Sequence, residues 1–313
     1  MAKKIEWAVN IDKLKVCLNM PDDLYGYLSE HYTRYDEQNK VRILDEDDFS
    51  LVFIDEEEVK MSAVLNIRDT DGYFRLGTFL FNNGKKYEKK AFFTFENEAL
   101  YRVFSKDYFG KPNGYIHCLL YVANFYGMEF NNITQIDLAF DSTYNYISKV
   151  RKMIKDIDRY DLYLNGKKVN NDETLDGYGE YYTRNRLKLS KFPTLYFSHA
   201  KETDMQMRIY DKERELNTQS PYKAERLKEW IGWGDMNKIY RVEITWHNTN
   251  VREVVRNLGD IVEEWGEHDC ILNLLNMSDY RLAMFLDGAD RLVYFKDKKT
   301  NEKISLVEVA SGI

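Results

Sequence analysis

Cysteine and proline are scarce in this chain, and long apolar runs are missing. The 313 residues include three cysteines and four prolines. Because Cys17, Cys118 and Cys270 are widely separated, they form neither a disulfide framework nor a paired-cysteine metal site, which is typical of a reducing compartment. No apolar run approaches the roughly 18 residues that a membrane helix needs, and the first residues lack the apolar core of a signal peptide. These absences predict a cytoplasmic protein without a membrane partner.

Motifs of several other enzyme classes are also absent. None of the five histidines belongs to a His-x-His or HExxH pair, which argues against a metal centre built from histidine. The sequence has no Walker loop, no GxGxxG that opens a helix, no GxSxG elbow and no HRD catalytic loop. Nothing in it indicates nucleotide hydrolysis or a redox cofactor.

The length and the order of elements predict more than one lobe. Single cores seldom grow beyond about 250–300 residues, so we predict a β-rich lobe over 1–112, an α+β lobe over 113–258 and a helical or mixed extension over 259–313. The order strand, helix, strand, strand, helix, strand in the second lobe predicts an α+β fold in which helices cover a largely antiparallel sheet. A similar order in both halves leaves open that the two lobes are related.

Positive charge is concentrated in one segment, although the chain as a whole has a net charge of −7. From Tyr181 to Lys201 there is no acidic residue, and cations alternate with aromatic residues. This pattern suits phosphates and unstacked bases. The alternative is a solvated strand edge protected by lysines. The candidate DNA-binding cations of this segment are Arg184, Arg186, Lys188 and Lys191.

Tyr210 is the candidate nucleophile. If Met205 to Lys212 is a strand, alternation puts Arg208, Tyr210 and Lys212 on one face. The two cations would bind a phosphate and lower the cost of ionising the phenol, whose pKa is ordinarily about 10. The alternative is a half-exposed packing residue, since the chain has 24 tyrosines.

Acidic residues occur on two further predicted strands. Asp137 and Asp141 share one face of the first, but four strand residues span about 13 Å, so both cannot bind one ion unless the strand is bulged. On the second strand, Glu243 shares a face with Arg241. If the strands pair, Glu243 and one aspartate would hold Mg²⁺ or Mn²⁺. The alternative is that these residues form ordinary salt bridges.

In this order the segments resemble the Rep_trans family, the replication initiators of rolling-circle plasmids and the related relaxases of integrative elements. The matching segments are Gln135–Asp141, Leu195–Ser198, Arg208–Glu213 and Arg241–Glu243. Two residues depart from the family pattern: Gln135 stands where arginine is common, and Phe197 stands where glycine usually precedes the serine.

The resemblance implies a fold like that of HUH Rep nucleases without their His-x-His motif, and a metal-dependent enzyme that nicks DNA and transfers the strand. Tyr210 would attack one phosphodiester of an origin, giving a 5′-phosphotyrosyl link and a free 3′-hydroxyl. The implied catalytic residues are Tyr210, Arg208 and Lys212, the metal ligands Asp137, Asp141 and Glu243, and further DNA contacts Tyr196, Ser198 and Arg241.

The resemblance also implies partners. These are origin DNA, a host helicase and polymerase, and a second copy of the chain. Three alternatives stay open from the sequence: a relaxase with the same chemistry, an origin-binding protein without catalytic activity, and a structural protein in which Tyr210 is only packed.

Overall fold

The fold is that of a computed structural model of the chain. It describes residues 6–69, 72–87, 89–104, 114–170, 174–177, 180–183, 194–198, 205–219, 221–230, 238–257, 275 and 277–311. The elements in chain order are β1 (Trp7–Asn19), α1 (Leu24–Glu30), β2 (Arg34–Asp36), β3 (Val41–Asp45), β4 (Phe49–Glu56), β5 (Lys60–Asp69), β6 (Gly72–Asn82), β7 (Lys90–Phe95), α2 (Asn97–Phe104), α3 (Gly114–Phe125), β8 (Glu129–Ser142), α4 (Tyr146–Lys155), β9 (Tyr160–Leu164), β10 (Lys167–Lys168), β11 (Thr174–Gly177), β12 (Glu180–Thr183), β13 (Thr194–Ser198), β14 (Gln206–Asp211), α5 (Lys212–Gln219), α6 (Pro221–Trp230), β15 (Tyr240–His247), α7 (Asn248–Arg256), α8 (Ser278–Leu292), β16 (Val293–Asp297), β17 (Lys303–Ser305) and α9 (Leu306–Ser311).

The described strands form three sheets. The largest has eleven strands in the order β13-β14-β15-β8-β1-β7-β6-β5-β4-β3-β2, a second has the order β10-β9-β16-β17, and β11 pairs with β12. Neighbouring strands run antiparallel wherever their register is defined. The predicted α+β class with a largely antiparallel sheet is confirmed. None of the helices described here is both long and apolar enough to cross a membrane.

The chain divides into two compact units, each built from separated segments. The first comprises residues 1–11, 137–254 and 277–313, and the second comprises 12–136 and 255–276. Their boundaries fall inside β1 and β8. The division into lobes 1–112, 113–258 and 259–313, which follows the order of the sequence, stays a prediction.

Aromatic residues on β6 and β7 form part of the core of the second unit. Phe79 lies opposite Phe93 in the strand register, and their ring centroids are 4.6 Å apart. Phe81 and Phe95 extend the cluster, with centroids 5.0 Å from Phe79 and 4.8 Å from Phe93 respectively. All four side chains are buried. Large aromatic rings dominate core energetics because each buries a large apolar area.

The helix α3 of the same unit ends as the sequence predicts. Gly127 has a φ of 64°, and its backbone N–H donates to the carbonyl oxygen of Asn124. Glycine reaches this left-handed conformation without the steric penalty of a side chain, which is why it commonly ends helices. A helix over Tyr115 to Tyr126 followed by a stop at Gly127 is therefore confirmed within about one residue.

In the first unit, helix α8 packs against the apolar face of β15. Val242, Ile244 and Trp246 alternate along this strand, and all are buried. Helix α8 approaches so closely that a Cβ atom added to Gly288 would lie 2.6 Å from Cζ2 of Trp246. The opposite face of β15 carries Arg241 and Glu243, because successive strand residues point to opposite sides.

We expect Gly288→Ala to destabilise the protein, since the added methyl group has no space beside the Trp246 ring. Overpacking of this kind typically costs about 1–3 kcal/mol, which exceeds the gain of roughly 1 kcal/mol from replacing glycine in a helix. The measurement is urea unfolding followed by tryptophan fluorescence and circular dichroism.

Gly26→Ala is the matched control. Gly26 also lies in a helix, α1, but a Cβ atom there would have no neighbour within 4 Å. This variant should be as stable as the parent protein or more stable. Equal stability of the two alanine variants would contradict close packing of α8 on β15.

Candidate active site

Polar residues of three neighbouring strands lie in rows across one face of the sheet. The register pairs β13 with β14 and β14 with β15. Two adjacent rows are Tyr196–Arg208–Glu243 and Thr194–Tyr210–Arg241. Because residues two apart along a strand share a face, the rows bring the candidate nucleophile next to cations and a carboxylate. This is the arrangement that the alternation of the sequence predicts.

Glu243 joins the two key side chains of this face. The phenol hydroxyl of Tyr210 donates to Oε2 of Glu243 at 2.7 Å, and the guanidinium of Arg208 donates to Oε1. Glu243 is 1% exposed and Tyr210 is 5% exposed. A carboxylate at this distance from a hydroxyl is placed to take its proton. The buried carboxylate therefore both holds the phenol oxygen in position and offers it a base.

Arg208 keeps its charge in this environment. Burial alone would lower the pKa of its guanidinium, but Glu243, Tyr210 and Asp137 oppose this effect and hold the pKa above its ordinary value. The central carbon of the guanidinium lies 5.6 Å from the centroid of the Tyr210 ring. Its side chain retains 41% of its surface exposed. Arg208 thus presents a permanent cation beside the phenol and has surface left for an anionic ligand.

Lys212 also lies beside Tyr210, but it does not belong to the strand. Its Nζ is 5.6 Å from the centroid of the phenol ring. The structure corrects the predicted extent of the strand: Lys212 is the first residue of helix α5 and forms an ion pair with Glu215 at 2.8 Å. The helix begins there because Asp211 caps it, accepting from the backbone N–H of Arg214 at 2.9 Å. Lys212 is buried, so its charge is felt at Tyr210 although little of its surface is accessible.

Asp141 and Arg241 form a buried ion pair. Nε of Arg241 donates to Oδ1 of Asp141 at 2.6 Å and Nη2 donates to Oδ2 at 2.7 Å, and both side chains are 0% exposed. This placement differs from the predicted roles. Arg241 has no surface with which to contact DNA, and both oxygens of Asp141 accept from a guanidinium. The pair forms because β15 and β8 are neighbours in the sheet, and a buried carboxylate needs a cation and hydrogen bonds.

Asp137 belongs to the same charge cluster. It is 3% exposed, and its negative charge acts on Arg208. Asp137 and Glu243 are the two predicted metal ligands beside Arg208, and both oxygens of Glu243 already accept hydrogen bonds, from Arg208 and Tyr210. Two carboxylates suit Mg²⁺, which is commonly bound by one or two carboxylates together with water and phosphate oxygens. In the part of the chain that the structure describes, no group of three or more His, Cys, Asp or Glu residues is arranged to hold a metal ion.

A cavity of about 620 Å³ opens beside Tyr210. The sheet contributes its residues from β13 and β14, helix α4 contributes its first turns, and helix α5 contributes the opposite side. The lining includes Asn145, Ser148, Arg151, Thr194, Tyr196, Arg208, Tyr210, Asp211, Arg214, Glu215, Thr218, Lys238 and Tyr240. The phenol of the candidate nucleophile is therefore reached from a space large enough for a ligand.

Two kinds of predicted site residue are not placed by the structure. Arg184, Arg186, Lys188 and Lys191 lie outside the described residues. Ser198 ends β13 opposite Gln206, and nothing further is described of its side chain.

Three further cations line the cavity that the strand patterns of the sequence do not predict: Arg151, Arg214 and Lys238. A usable signal existed for Arg214. An aspartate followed by Lys-Glu-Arg-Glu is typical of a helix start, so Asp211 could have ended the predicted strand one residue earlier and placed Arg214 in the first turn of a helix. No local signal connects Arg151 or Lys238 with Tyr210, because their proximity depends on the packing of separate elements.

Comparison with known proteins gives a structural similarity only. No family model matches the chain, and no curated protein matches it in sequence. A solved rolling-circle replication initiator protein from Geobacillus stearothermophilus is similar over 97% of both chains, with 15% sequence identity and a TM-score of 0.47.

We expect the buried Asp141–Arg241 pair to behave as a unit. Asp141→Leu and Arg241→Met each leave one buried charge without its partner and should destabilise the protein by about 3–5 kcal/mol. The double variant places two apolar side chains together and should lose far less than the sum of the two. Urea unfolding of the three variants measures this coupling.

The exposed pair Arg34–Asp45 is the control. Asp45→Asn should change the stability little, because solvent screens an ion pair at the surface. Additive losses in the Asp141 and Arg241 variants would contradict the buried pair.

Proposed function

We propose that this chain is a metal-dependent DNA strand transferase that nicks one strand at an origin of rolling-circle replication. The observation that carries the proposal is the phenol hydroxyl of Tyr210, held 2.7 Å from the buried carboxylate of Glu243 with the Arg208 cation beside it. Tyr210 and Arg208 line one cavity, and Glu243 lies behind the phenol. A nucleophile, an anion-binding cation and a base are the parts that attack on a phosphodiester requires.

The reaction begins with the proton of Tyr210. Glu243 accepts this proton as the phenol oxygen attacks the phosphorus, since the two oxygens are already within hydrogen-bond distance. The bond between phosphorus and the 3′-oxygen breaks. This leaves a 5′-phosphotyrosyl link on one end and, once the departing oxygen has taken up a proton, a free 3′-hydroxyl on the other.

Arg208 is the cation that would contact the phosphate. Its side chain is 41% exposed, whereas that of Lys212 is 9% exposed and is paired with Glu215. A fixed cation near the non-bridging oxygens stabilises the charge that develops in the transition state. Lys212 would add its charge from behind the ring, without direct contact.

Asp137 and Glu243 would hold the Mg²⁺ or Mn²⁺ ion. A bound ion of this kind neutralises negative charge on the phosphate and orients it. Asp141 is disfavoured as a ligand, because it is 0% exposed and Arg241 occupies both of its oxygens. Glu243 accepts from Arg208 and Tyr210, so it would bind the ion only after giving up one of these hydrogen bonds. The partners proposed with this function are origin DNA, a host helicase and polymerase, and a second copy of the chain.

Tyr210→Phe should abolish covalent attachment to DNA. Wild-type protein is incubated with supercoiled DNA of its parent element in Mg²⁺, and nicked circles that carry protein after denaturation are counted. The adduct should be lost in EDTA and in Tyr210→Phe. It should be retained in Tyr222→Phe, which removes the hydroxyl of an exposed tyrosine on α6. Origin binding without any adduct would instead indicate a noncatalytic binding protein.

Glu243→Gln should slow nicking by roughly 10²- to 10⁴-fold, the usual contribution of a positioned base. Because hydroxide can replace the lost base, the remaining rate should rise as the pH is raised. The rates are measured from about pH 6 to about pH 9, at two Mg²⁺ concentrations and with saturating DNA. Recovery with Mg²⁺ alone, and no response to pH, would assign Glu243 the role of a metal ligand only.

A further inference from the structure

The cavity beside Tyr210 is larger than a single phosphate requires. Its volume of about 620 Å³ falls within the roughly 300–1,000 Å³ of small-molecule sites. Tyr210 and Arg208 occupy one wall, and helices α4 and α5 supply others. The space beyond the nucleophile is therefore a half-open cavity with the volume of a nucleotide site.

We propose that this cavity binds one unstacked nucleotide of single-stranded DNA next to the scissile phosphate, with its phosphate on Arg214 and Lys238 and its base against Tyr196. The proposal deepens the proposed function and rests on it. It assigns binding roles to two cations that lie in neither of the basic patterns of the sequence.

The charges in the cavity favour an anion. The acidic groups of its wall are engaged: Glu215 pairs with Lys212, and Asp211 caps helix α5. By contrast, Arg214 and Lys238 are exposed, and neither side chain forms an ion pair with any residue that the structure describes. Two cations facing a cavity without a protein counterion are suited to a phosphate.

The first turn of helix α4 adds to this potential. Asn145 caps the helix by accepting from the backbone N–H of Ser148 at 3.5 Å, and both residues line the cavity. The N-terminus of a helix carries a partial positive charge, which favours an anion nearby. Arg151, one turn further along α4, also lines the cavity.

An aromatic side chain supplies the place for a base. Tyr196 is half-buried, lines the cavity and lies opposite Arg208 in the strand register. A base that stacks on such a ring must first leave its own stack, because neighbouring bases cover both of its faces in a duplex. The hydroxyls of Thr194 and Thr218 line the same cavity and offer hydrogen bonds to base edges.

Binding can be tested without nicking. The full chain carrying Tyr210→Phe is titrated into fluorescein-labelled hexathymidylate, and anisotropy is followed over a range of NaCl concentrations. Adding Arg214→Gln and Lys238→Gln should weaken binding about tenfold. It should also lower the slope of log affinity against log salt by about 1.4, since each phosphate contact on a single strand contributes roughly 0.7.

Lys149→Gln with Lys152→Gln is the matched control. Both lysines are exposed on helix α4 and lie outside the cavity lining, and their loss removes the same net charge. The control should bind within about twofold of the parent, with an unchanged slope. Equal effects of the two double variants would overturn the proposal, as would the failure of the parent to bind the oligonucleotide.

Stacking of the nucleobase on Tyr196 is tested with the variant Tyr196→Leu and with a hexamer that lacks all of its bases. Loss of the ring should weaken binding of hexathymidylate roughly five- to hundredfold, which is the range for stacking on one aromatic residue. It should leave binding of the abasic hexamer unchanged. Equal losses with both probes would overturn the assignment of Tyr196.

The two proposals fail in different ways. If wild-type protein forms no adduct but the cavity variants lose affinity, the nucleotide site stands and the nicking function does not. If the adduct forms and the Arg214 and Lys238 variants bind like the control, the nicking function stands and the nucleotide site does not.

Discussion

The carboxylate of Glu243 is the group on which the arrangement of the site depends. A buried carboxylate is costly unless cations and hydrogen-bond donors surround it. Here Arg208 and Tyr210 each occupy one of its oxygens. Beside it, the buried carboxylate of Asp141 likewise accepts two hydrogen bonds, both from Arg241. A shift of β14 by one residue along β15 would turn Arg208 and Tyr210 toward the apolar face that α8 covers and leave Glu243 without its partners. The electrostatics of the site therefore fix the strand register together with the hydrophobic core.

The two ion pairs differ in exposure, and this difference separates their roles. Asp141 and Arg241 are both without accessible surface, so nothing outside the protein can reach them. Arg208, by contrast, combines a buried bond to Glu243 with a partly exposed guanidinium beside the cavity. Buried ion pairs are weak contributors to stability compared with apolar residues of similar size. The Arg208–Glu243 pair, which lies beside the cavity and holds the Tyr210 hydroxyl, is the one that suits the proposed chemistry.

The sequence predicts the face of each strand well and the lateral contacts poorly. Arg208, Tyr210 and Glu243 share one face because side chains alternate in any strand, and this depends on local geometry alone. Which cation neutralises which carboxylate depends on the order β14-β15-β8, which joins segments about 100 residues apart in the case of Asp141 and Arg241. The resemblance implies a DNA contact for Arg241, but the neighbouring strand β8 places Asp141 against it and the side chain is buried. Alternation alone extends the strand to Lys212, but Asp211 caps a helix, so Lys212 is its first residue.

The proposed strand transfer would also have to run backwards for the DNA to be rejoined, and the position of Glu243 suits both directions. In the reverse reaction the departing phenolate needs the proton that Glu243 accepted in the forward step, because the same groups act in both directions. Glu243 is placed to return this proton, because its Oε2 lies 2.7 Å from the phenol oxygen. The strand that bears the 3′-hydroxyl must stay close while the covalent link exists. A nucleotide held by Arg214 and Lys238 in the cavity beside Tyr210 would keep the DNA close to the nucleophile, so that the 3′-hydroxyl could attack the phosphotyrosyl bond as Glu243 returns the proton to the phenol.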